Sequence, residues 1–403
     1  MPEIRVAGFS GEWEKRKLRE LMDFSNGINA LKESYGKGRK MLSVMDILDL
    51  NPIRYENIRN SVEVKKDIEN KNRVEKGDLV FVRSSEVVEE VGWSKAYLEN
   101  KYALYSGFTI RGKKKNEYDA RFIELNLNSS SRKQIQRKAG GSTRFNVSQS
   151  ILKSIVIRVT SIEEQTKIGD FFKKLDETIV IQEQELTALK QTKQGFLQKM
   201  FPKEGESVPE IRFPGFTEGW EVLKLEELLE ERNEQMPENE EFPLMSFTAT
   251  EGVIPKSDRY NRGFLVKSTN KKYKKTEKDD LIYSSNNLEV GSIGLNNTGK
   301  AVISPVYSIF HVKENITSDF MGMLIQRKEF INKMLRYRQG VVYGQWRIHE
   351  SDFLNIETLI PSNAEQHKIG SFFRKIDDTI ILHEHELEIL KQTKKAFLQK
   401  MFV

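Results

Sequence analysis

The chain of 403 residues contains no cysteine. A disulfide framework and a thiolate metal site are therefore excluded, which agrees with the reducing cytoplasm. No stretch approaches the roughly 18 consecutive apolar residues that a membrane-spanning helix needs. The opening residues MPEIRVAGFSGEW also lack the apolar segment of a signal peptide. We therefore expect a cytoplasmic protein with no membrane span.

Signatures of catalysis are also scarce. The sequence has no G-x-x-x-x-G-K-[ST] loop, which argues against ATP hydrolysis by this chain. Residues 51–54 match only the first half of the Asn-Pro-Pro-aromatic motif of adenine methyltransferases. Residues 63–65 with Asp49 have the spacing of a nuclease carboxylate-lysine pattern, but chance produces such spacings in a chain with 31% charged residues. His383 and His385 are two apart on a predicted helix and point to different faces, so they do not form a zinc pair. We predict no catalytic residue, no metal site and no cofactor bound by this chain.

Positive charge is concentrated in two stretches of the sequence. The net charge is +6, and residues 1–160 carry 31 Lys and Arg against 21 Asp and Glu. Residues 242–360 carry 17 Lys and Arg against 12 Asp and Glu. A basic surface attracts phosphates over a distance and loses that attraction in salt. An equally simple interpretation of the charge alone is that surplus lysines keep the protein soluble.

The chain repeats two of its segments. PEIRVAGFSGEWEKRKLREL, at the start of the chain, returns from Pro209 as PEIRFPGFTEGWEVLKLEEL, with 12 of 20 residues identical. A 38-residue segment from Glu164 returns from Glu365 with 25 identities, at an offset of 201 residues. The stretches between these landmarks, 22–160 and 229–360, show no comparable match. We call them the first and second inserts, and we predict one scaffold that carries two different inserts.

The 38-residue repeat predicts two long helices, because its apolar residues recur at alternating steps of four and three, as in a coiled-coil seam. The seam residues are Ile168, Phe172, Leu175, Ile179, Leu186, Leu189, Phe196 and Met200, then Ile369, Phe373, Ile376, Ile380, Leu387, Leu390, Phe397 and Met401. Polar residues interrupt both seams at matching places, Gln182 and Lys193 in the first and His383 and Lys394 in the second. Because only a short linker follows the first helix, we expect the helices to pair antiparallel, with a pseudo-two-fold axis between the halves. About 37 residues of helix would be roughly 55 Å long, which matches roughly 16 base pairs of duplex.

Further apolar residues lie off the seam in both copies of the repeat. They are Phe171, Ile181 and Leu197 in the first copy, with Phe372, Leu382 and Leu398 in the second. One interpretation is a wide core stripe. The other is a docking face for helices of a partner subunit, because a rod of two helices cannot cover every apolar stripe it displays.

Each insert is expected to be mixed α and β. We predict a helix after Trp13 or Trp220, followed by short strands, a longer helix and a glycine-containing loop. The β-rich runs are GDLVFVRSS from Gly77 to Ser85 and DDLIYSSNN from Asp279 to Asn287, the later helices are near 120–138 and 318–338, and the loops are GGSTRFNVS at 140–148 and GVVYGQWR at 340–347. The small polar clusters that end the β-rich runs are good loops for contacting nucleic acid.

Two groups of insert residues have side chains suited to DNA. Arginine, asparagine and glutamine make bidentate contacts to guanine or adenine in the major groove, and the candidates for reading bases are Arg83, Ser84, Ser85, Arg144, Asn146, Ser285, Asn286, Asn287, Tyr343, Gln345 and Arg347. The candidates for contacting phosphates are Lys113, Lys114, Lys115, Arg132, Lys133, Arg137, Lys138, Lys271, Lys272, Lys274 and Lys275. For any one of these residues a solvated surface role is the simpler interpretation, and only their clustering in both inserts favours DNA.

The chain resembles the specificity subunit of type I restriction-modification systems. The resemblance covers the whole length and rests on the repeated PEIR-x-x-GF…W opening, the E-Q-x-K-I-G-x-FF helix starts, the LKQTK-x-x-FLQKMF helix ends and the order of inserts and helices. It departs from the family at Thr160 and Ala7, where the second half has Pro361 and Pro214. These departures affect only the expected loop geometry.

The resemblance implies an α+β protein with two mixed α/β target recognition domains joined by two long antiparallel coiled-coil helices, as a pseudo-two-fold internal repeat. The implied segments are residues 1–162, 163–201, 202–208, 209–362 and 363–403, which are the first recognition domain, the first helix, a linker, the second domain and the second helix. It also implies reading of a bipartite, asymmetric double-stranded DNA target. Two modification subunits would supply S-adenosylmethionine chemistry at adenine, and restriction subunits would supply translocation and cleavage that need ATP and Mg.

Two alternatives of other classes stay open at this point. The chain could be a structural coiled-coil protein whose basic inserts bind acidic partners, and this predicts no sequence preference among DNA duplexes. It could also be a self-sufficient DNA-modifying enzyme, which the missing catalytic motifs oppose.

Overall fold

The computed structural model describes residues 2–248, 252–255, 271–286, 288, 292–341 and 345–402. The chain divides into two compact units. The first unit consists of residues 1–183 with 385–403, and the second consists of residues 184–384. Within the described ranges, none of the helices combines the length and the apolar character needed to cross a membrane.

The first unit contains a four-stranded antiparallel sheet, a smaller three-stranded sheet and several helices. In chain order its elements are β1 (Glu14–Lys17), α1 (Leu18–Leu21), β2 (Met22–Asn26), β3 (Tyr35–Leu42), α2 (Val44–Leu48), β4 (Asn60–Val62), α3 (Lys66–Lys71), β5 (Leu79–Val82), β6 (Ser84–Ser85), β7 (Ser94–Ala96), β8 (Leu104–Tyr105), β9 (Thr109–Lys114), α4 (Ala120–Asn128), α5 (Arg132–Lys138), β10 (Phe145–Asn146), α6 (Gln149–Ser154), β11 (Val156–Val159) and the long helix α7 (Ile162–Lys199). The larger sheet has the order β2-β9-β5-β7, and the smaller one has the order β4-β3-β8.

The second unit repeats this plan. Its elements are β12 (Glu221–Lys224), α8 (Leu225–Leu228), β13 (Leu229–Glu231), β14 (Gln235–Met236), β15 (Met245–Thr248), β16 (Gly252–Pro255), β17 (Tyr273–Thr276), β18 (Leu281–Tyr283), β19 (Ile293–Leu295), β20 (Ala301–Ile303), β21 (Ser308–Val312), α9 (Ser318–Gln326), α10 (Lys328–Leu335), β22 (Gln339–Val341), β23 (Gln345–Arg347), α11 (Glu350–Leu354), β24 (Glu357–Ile360) and the long helix α12 (Asn363–Met401). Its four-stranded antiparallel sheet has the order β13-β21-β18-β19, which corresponds strand for strand to β2-β9-β5-β7.

The two inserts therefore share a sheet topology although their sequences do not match. A local detail supports this correspondence. Asp78 and Asp280 lie just before β5 and β18, both are buried, and each accepts a hydrogen bond from a backbone N–H three residues earlier, at 3.0 and 2.7 Å. The residue before each aspartate has positive φ, +96° at Gly77 and +68° at Asp279. The same turn thus precedes the same strand in both units.

The two long helices α7 and α12 are present as the heptad pattern predicts. Each contributes one half to each unit, because the division between the units falls at Glu183 in α7 and at Glu384 in α12. All sixteen apolar seam positions are buried or half-buried. The predicted seam is confirmed in both copies.

Within each unit the two helix halves run antiparallel. In the first unit the rings of Phe171 and Phe397 are 5.1 Å apart, and Lys394 pairs with Asp176 at 2.6 Å. The contacts of the second unit are the same set moved by 201 residues. There the rings of Phe196 and Phe372 are 5.1 Å apart, and Lys193 pairs with Asp377 at 2.6 Å. A second ion pair also occurs in both units, between Lys190 and Glu384 at 2.6 Å in the second unit and between Lys391 and Glu183 at 2.7 Å in the first. The seam lysines are thus neutralised by aspartates of the facing helix.

The E-Q-x-K-I-G motif anchors the start of α7 to its insert. Glu164 is fully buried and accepts two hydrogen bonds of 2.7 Å from the guanidinium of Arg5. Gln165 accepts from the backbone N–H of Asp119 at 3.2 Å and donates to the carbonyl of Thr160 at 2.7 Å. A Cβ on Gly169 would lie 2.6 Å from the carboxylate of Asp119, so only glycine permits this approach.

The start of α12 is anchored in the same way. Glu365 accepts two hydrogen bonds from Arg212, at 2.8 and 2.7 Å. Gln366 accepts from the backbone N–H of Thr317 at 2.9 Å and donates to the carbonyl of Pro361 at 3.0 Å. The exchange of Thr160 for Pro361 therefore preserves the contact, because the contact uses only the backbone carbonyl.

Three expectations about local structure are wrong. The segments after Trp13 and Trp220 begin as strands β1 and β12, because they pair with β11 and β24 before the short helices start. The helix predicted near 120–138 is broken into α4 and α5. The break lies at serines whose hydroxyls bond to nearby groups, Ser129 to the carbonyl of Leu125 and Ser131 to the side chain of Asn126, in competition with the helix. The helix predicted near 318–338 is also two helices, α9 and α10, separated by an extended Arg327.

Candidate nucleic-acid interface

Two predicted groups of the first insert lie side by side. The strand β6, which follows β5 after Arg83, pairs antiparallel with β10, so that Ser84 faces Asn146 and Ser85 faces Phe145. The backbone N–H of Val147 donates to the carbonyl of Arg83 at 2.9 Å. Strand pairing thus brings residues about 60 positions apart in the sequence to a single edge of the unit.

The polar side chains at this edge differ in what they can do. Arg144 and Asn146 are exposed, and the amide of Asn146 donates to the carbonyl of Arg144 at 3.1 Å. Arg83 and Ser84 are half-buried, and Arg83 donates to the carbonyl of Gly107 at 3.2 Å. Arg144, Asn146 and Ser84 can therefore present hydrogen-bonding groups outward.

The prediction that Ser85 reads bases is wrong. Its side chain is buried, its hydroxyl donates to Glu90, and the same hydroxyl accepts from the backbone N–H of Val87 at 3.1 Å. These partners occupy the hydroxyl and hold the following loop. Ser85 therefore shapes the edge and does not contact bases.

The second unit has the corresponding arrangement after β18. Asn286 is exposed, and its side-chain oxygen accepts from the backbone N–H of Trp346 at 2.7 Å. The hydroxyl of Ser285 accepts from the backbone N–H of Ile348 at 3.0 Å, so Ser285 links the end of β18 to the segment after β23. Arg347 is 55% exposed, with its guanidinium 3.5 Å from Glu350. Gln345 begins β23, while Asn287 and Tyr343 lie outside the described residues.

A correspondence between the two edges is visible only with the structure. The segment Arg144 to Ser148 and the segment Gln345 to His349 occupy the same place relative to the sheet, and each ends at the residue that precedes the next helix. Their offset is 201 residues, the same as for the long helices. Arg144 and Asn146 correspond to Gln345 and Arg347. The pattern of polar, aromatic, polar and apolar residues at this offset is a signal that the sequence comparison missed.

The candidate phosphate contacts of the first insert separate into three groups. Lys113, Lys114 and Lys115 are exposed but lie at or just beyond the far end of β9, roughly 16 Å along the strand from its start beside Phe108. They are not part of the edge, and the ammonium of Lys114 donates to the carbonyl of Tyr118 at 2.8 Å.

The prediction that Arg132 contacts a phosphate is also wrong. It is 8% exposed, donates to the carbonyls of Glu89 and Val91, and lies 5.5 Å from the ring centre of Trp93. Burial lowers the pKa of this guanidinium to about 10. Its role is to tie α5 to the loop before β7. The exposed cations of the third group are Lys133, Arg137 and Lys138, on the helix that precedes the edge, and Lys138 donates to the hydroxyl of Ser154 at 2.8 Å.

The candidate cations of the second insert also divide. Lys274 is 7% exposed, so it is not available to a phosphate. Lys275 lies between Glu234 at 3.1 Å and Glu277 at 3.3 Å, and the hydrogen bond to Glu234 contributes most to raising its pKa. Lys271 and Lys272 are exposed. Only the last two keep the predicted role as solvent-facing cations.

Three residues of the edges were missed by the sequence analysis. Phe108 is 56% exposed on the turn between β8 and β9, and Trp346 is 47% exposed in the middle of β23. Arg338 donates to the carbonyl of Ser285 at 3.0 and 2.6 Å. Neither aromatic could be recognised as exposed from the sequence, because exposure depends on what packs over the side chain and not on its neighbours in the sequence.

The proposed docking residues on the long helices divide between core and surface. Leu398 packs against the core of the first unit and Leu197 and Phe372 against that of the second, because the insert covers these helix turns. Phe171 is 38% exposed, with its ring against Phe397. Ile181 and Leu382 are 54% and 55% exposed and lie at corresponding positions of α7 and α12. The surface interpretation thus remains for Ile181 and Leu382.

The described residues hold no cluster of three or more histidine, cysteine, aspartate or glutamate side chains placed to bind a metal ion.

The sequence matches the family of type I restriction modification DNA specificity domains twice, over residues 10–191 and 217–392. The chain belongs to this family. Recognition of a DNA sequence is the role of the family, and catalysis resides in partner subunits, so the specificity subunit acts in a complex with other subunits of the system and DNA.

Similar proteins agree along the whole chain. A Methanocaldococcus jannaschii protein assigned as the specificity subunit of the type I restriction enzyme MjaX is 22% identical over 421 aligned positions, which cover 96% of this chain and 92% of the relative. The crystal structure of a type I S subunit from M. genitalium superposes with a TM-score of 0.62 at 16% identity and covers 100% of this chain and 99% of that one. A chain from a study of complex assembly in a type I system superposes with a TM-score of 0.55 at 14% identity, covering 98% of this chain and 99% of that one. The specificity-subunit fold is therefore shared, whereas so low an identity carries no base-reading residue across.

Proposed function

We propose that this specificity subunit reads a bipartite, asymmetric DNA target, one half with each insert, and directs adenine methylation or cleavage by its partner subunits. The observation that carries the proposal is the pair of corresponding edges. In the first unit the pairing of β6 with β10 presents Ser84, Arg144 and Asn146. In the second unit β23 pairs with β22 and is bonded to Asn286 through the N–H of Trp346, and this edge presents Asn286 and Arg347.

The chemistry of these side chains suits base edges. Arginine pairs with two acceptors of guanine, and asparagine pairs with the donor and acceptor of adenine. The residues at corresponding positions differ between the edges, so the two half-sites are expected to differ in sequence. The exposed cations Lys133, Arg137, Lys271 and Lys272 would neutralise phosphates beside the base contacts, which strengthens binding without reading sequence.

Two modification subunits and further restriction subunits complete the proposal. The modification subunits would dock on the long helices, where Ile181 and Leu382 are exposed, and would bind S-adenosylmethionine. The restriction subunits would bind ATP and Mg. The role of this chain would be to bind the target and position it for those subunits.

The test is co-expression with a candidate modification subunit, followed by mapping of adenine methylation across the host genome. The proposal expects methylation at one split motif with unlike halves. Exchange of residues 22–160 for the first insert of another specificity subunit should change one half of that motif and leave the other half unchanged.

Two outcomes would contradict the proposal. Methylation without a sequence motif in a complex that assembles would mean that the inserts do not read bases. A change of both half-sites after the exchange of one insert would reject the assignment of one half-site to each insert.

A further inference from the structure

Each edge exposes an aromatic ring that has no role in a core. Phe108 is 56% exposed, and its carbonyl accepts from the backbone N–H of Arg83 at 2.9 Å, so its backbone lies beside the predicted base-reading strand. Trp346 is 47% exposed, and its backbone N–H donates to Asn286 at 2.7 Å. The backbone of each aromatic residue is therefore held by a hydrogen bond at the edge, to Arg83 next to Ser84 in the first unit and to Asn286 in the second.

The two units arrive at an exposed ring by different routes. Strand registers align Phe108 with Val306, which is 68% exposed, while Phe145, the counterpart of Trp346, is half-buried against the first core. The first unit thus presents its ring from the turn before β9, and the second presents its ring from β23. An exposed aromatic is retained at each edge although the position that supplies it has changed.

An arginine covers one face of each ring. The guanidinium carbon of Arg144 is 5.7 Å from the ring centre of Phe108, and that of Arg338 is 5.3 Å from the ring centre of Trp346. Arg338 is itself held by two hydrogen bonds to the carbonyl of Ser285. A cation over an aromatic face stabilises the ring in one orientation, so each edge offers a ring with a single accessible face.

The single accessible face limits what the ring can contact on DNA. An apolar wedge that enters between base pairs stacks on both sides, and here one side is occupied. In the major groove the apolar feature that distinguishes a base pair is the 5-methyl group of thymine. We propose that Phe108 and Trp346 are specificity-determining residues that each contact a thymine methyl group in its own half of the target. This inference rests on the proposed reading of a bipartite target.

The experiment uses the complex of the full chain with its modification subunit and the target found by methylation mapping. Thymines of the two half-sites are replaced one at a time by uracil, which removes only the methyl group. One uracil in each half is expected to weaken equilibrium binding about four-fold, the equivalent of one buried methyl group. Phe108→Ala should abolish the uracil effect in one half only, and Trp346→Ala should abolish it in the other half only.

Matched controls are available in each unit. Leu50 is 97% exposed and Val222 is 61% exposed, and neither belongs to an edge. Leu50→Ala and Val222→Ala should keep the uracil effect of the unmodified chain in both halves. Thermal unfolding of every variant complex shows whether it assembles normally, and Phe108→Leu, which keeps an apolar side chain, should restore part of the uracil effect lost in Phe108→Ala.

The outcomes separate this inference from the function on which it rests. If binding to the mapped target is unaffected by uracil at every position, or if the two alanine variants respond to uracil as the unmodified complex does, the thymine contact is overturned while target reading stands. If the complex has no mapped target at all, the proposed function itself fails.

Discussion

Asp176 in α7 forms an ion pair with Lys394 in α12 at 2.6 Å and a second ion pair with Arg121 of the insert helix α4. Its counterpart Asp377 pairs with Lys193 at the same distance. The two sites differ in burial, because the side chain of Asp176 is 13% exposed and that of Asp377 is 34% exposed. The corresponding lysine–aspartate pairs of the repeated helices therefore differ in their surroundings. The pair of Asp176 belongs to a buried network of ion pairs, whereas the pair of Asp377 is half-exposed.

We expect Asp176→Asn to destabilise the protein more than Asp377→Asn. Removing the charge of Asp176 leaves Arg121 with Glu124 as its remaining ion-pair partner, and breaking a buried network costs about 3 kcal/mol. A half-exposed pair is worth at most about 1 kcal/mol. Urea unfolding of both variants measures the difference, and equal losses would show that burial does not decide the contribution.

Gly169→Ala and Gly370→Ala are expected to destabilise the helix starts. A Cβ would lie 2.6 Å from Asp119 in the first case and 2.7 Å from Asp319 in the second, and such overpacking costs about 1–3 kcal/mol. Gly195→Ala is the matched control, because a Cβ there meets nothing within 4 Å. In a helix this exchange is expected to stabilise by about 1 kcal/mol. Thermal unfolding should therefore move in opposite directions, and a destabilised Gly195→Ala would contradict the explanation.

The pair of Arg5 and Glu164 makes stability depend on pH. Burial acts to raise the pKa of Glu164, but hydrogen bonds from Arg5 and Thr160 outweigh it and hold the pKa below its usual value of 4.5. A depressed pKa stabilises the folded state above about pH 4.5, and this contribution is lost as the pH falls through the lower folded value. Urea unfolding followed from pH 7 to below pH 4 should show that the free energy of unfolding falls less in Glu164→Gln than in the unmodified chain. An identical loss in the two would assign the pH dependence to other carboxylates.

Arg144→Ala and Lys133→Ala are expected to affect DNA binding in different ways. The loss of a base contact by Arg144 should weaken the mapped target by about 1–3 kcal/mol and relax the preference at one base position. The loss of a phosphate contact by Lys133 should weaken all duplexes alike and reduce the salt dependence by about one ion. Binding titrations at several salt concentrations against the target and single-base variants check both statements.

Lys114→Ala serves as the control for that pair. Lys114 lies at the far end of β9 and donates to the carbonyl of Tyr118, so its removal should leave DNA binding unchanged. A uniform loss of affinity in Lys114→Ala would mean that DNA extends along the sheet beyond the edge. A uniform loss in Arg144→Ala, with no base preference relaxed, would reject its base-reading role.

Some features of the fold were predictable because they are local. The seam of α7 and α12 follows from apolar residues three and four apart, and neighbours on one helix face stay neighbours in any tertiary structure. The matching polar positions Lys193 and Lys394 were also visible as interruptions of the seam, although their aspartate partners were not identified. The β-rich runs that contain β5 and β18 were recognisable from their composition.

Other features depend on residues far apart in the sequence. Arg132 and Lys274 looked like surface cations, but each is buried by an element from a distant part of the chain. The shared topology of the inserts was hidden because strand pairing uses backbone groups, which leave few constraints on the side chains. The edge at Ser84 and Asn146 exists only because β6 pairs with β10.

The sequence by itself determined the two repeats, the long helices with their seam, the order of inserts and helices, and the family. These properties rest on local periodicity and on residues repeated at a fixed offset. Only the tertiary structure decided which polar and basic side chains face solvent, and that Phe108 and Trp346 are exposed at the edges of the two units. The physical reason is that exposure is set by what packs over a residue, and in these inserts the covering elements come from strand pairings that no local pattern specifies.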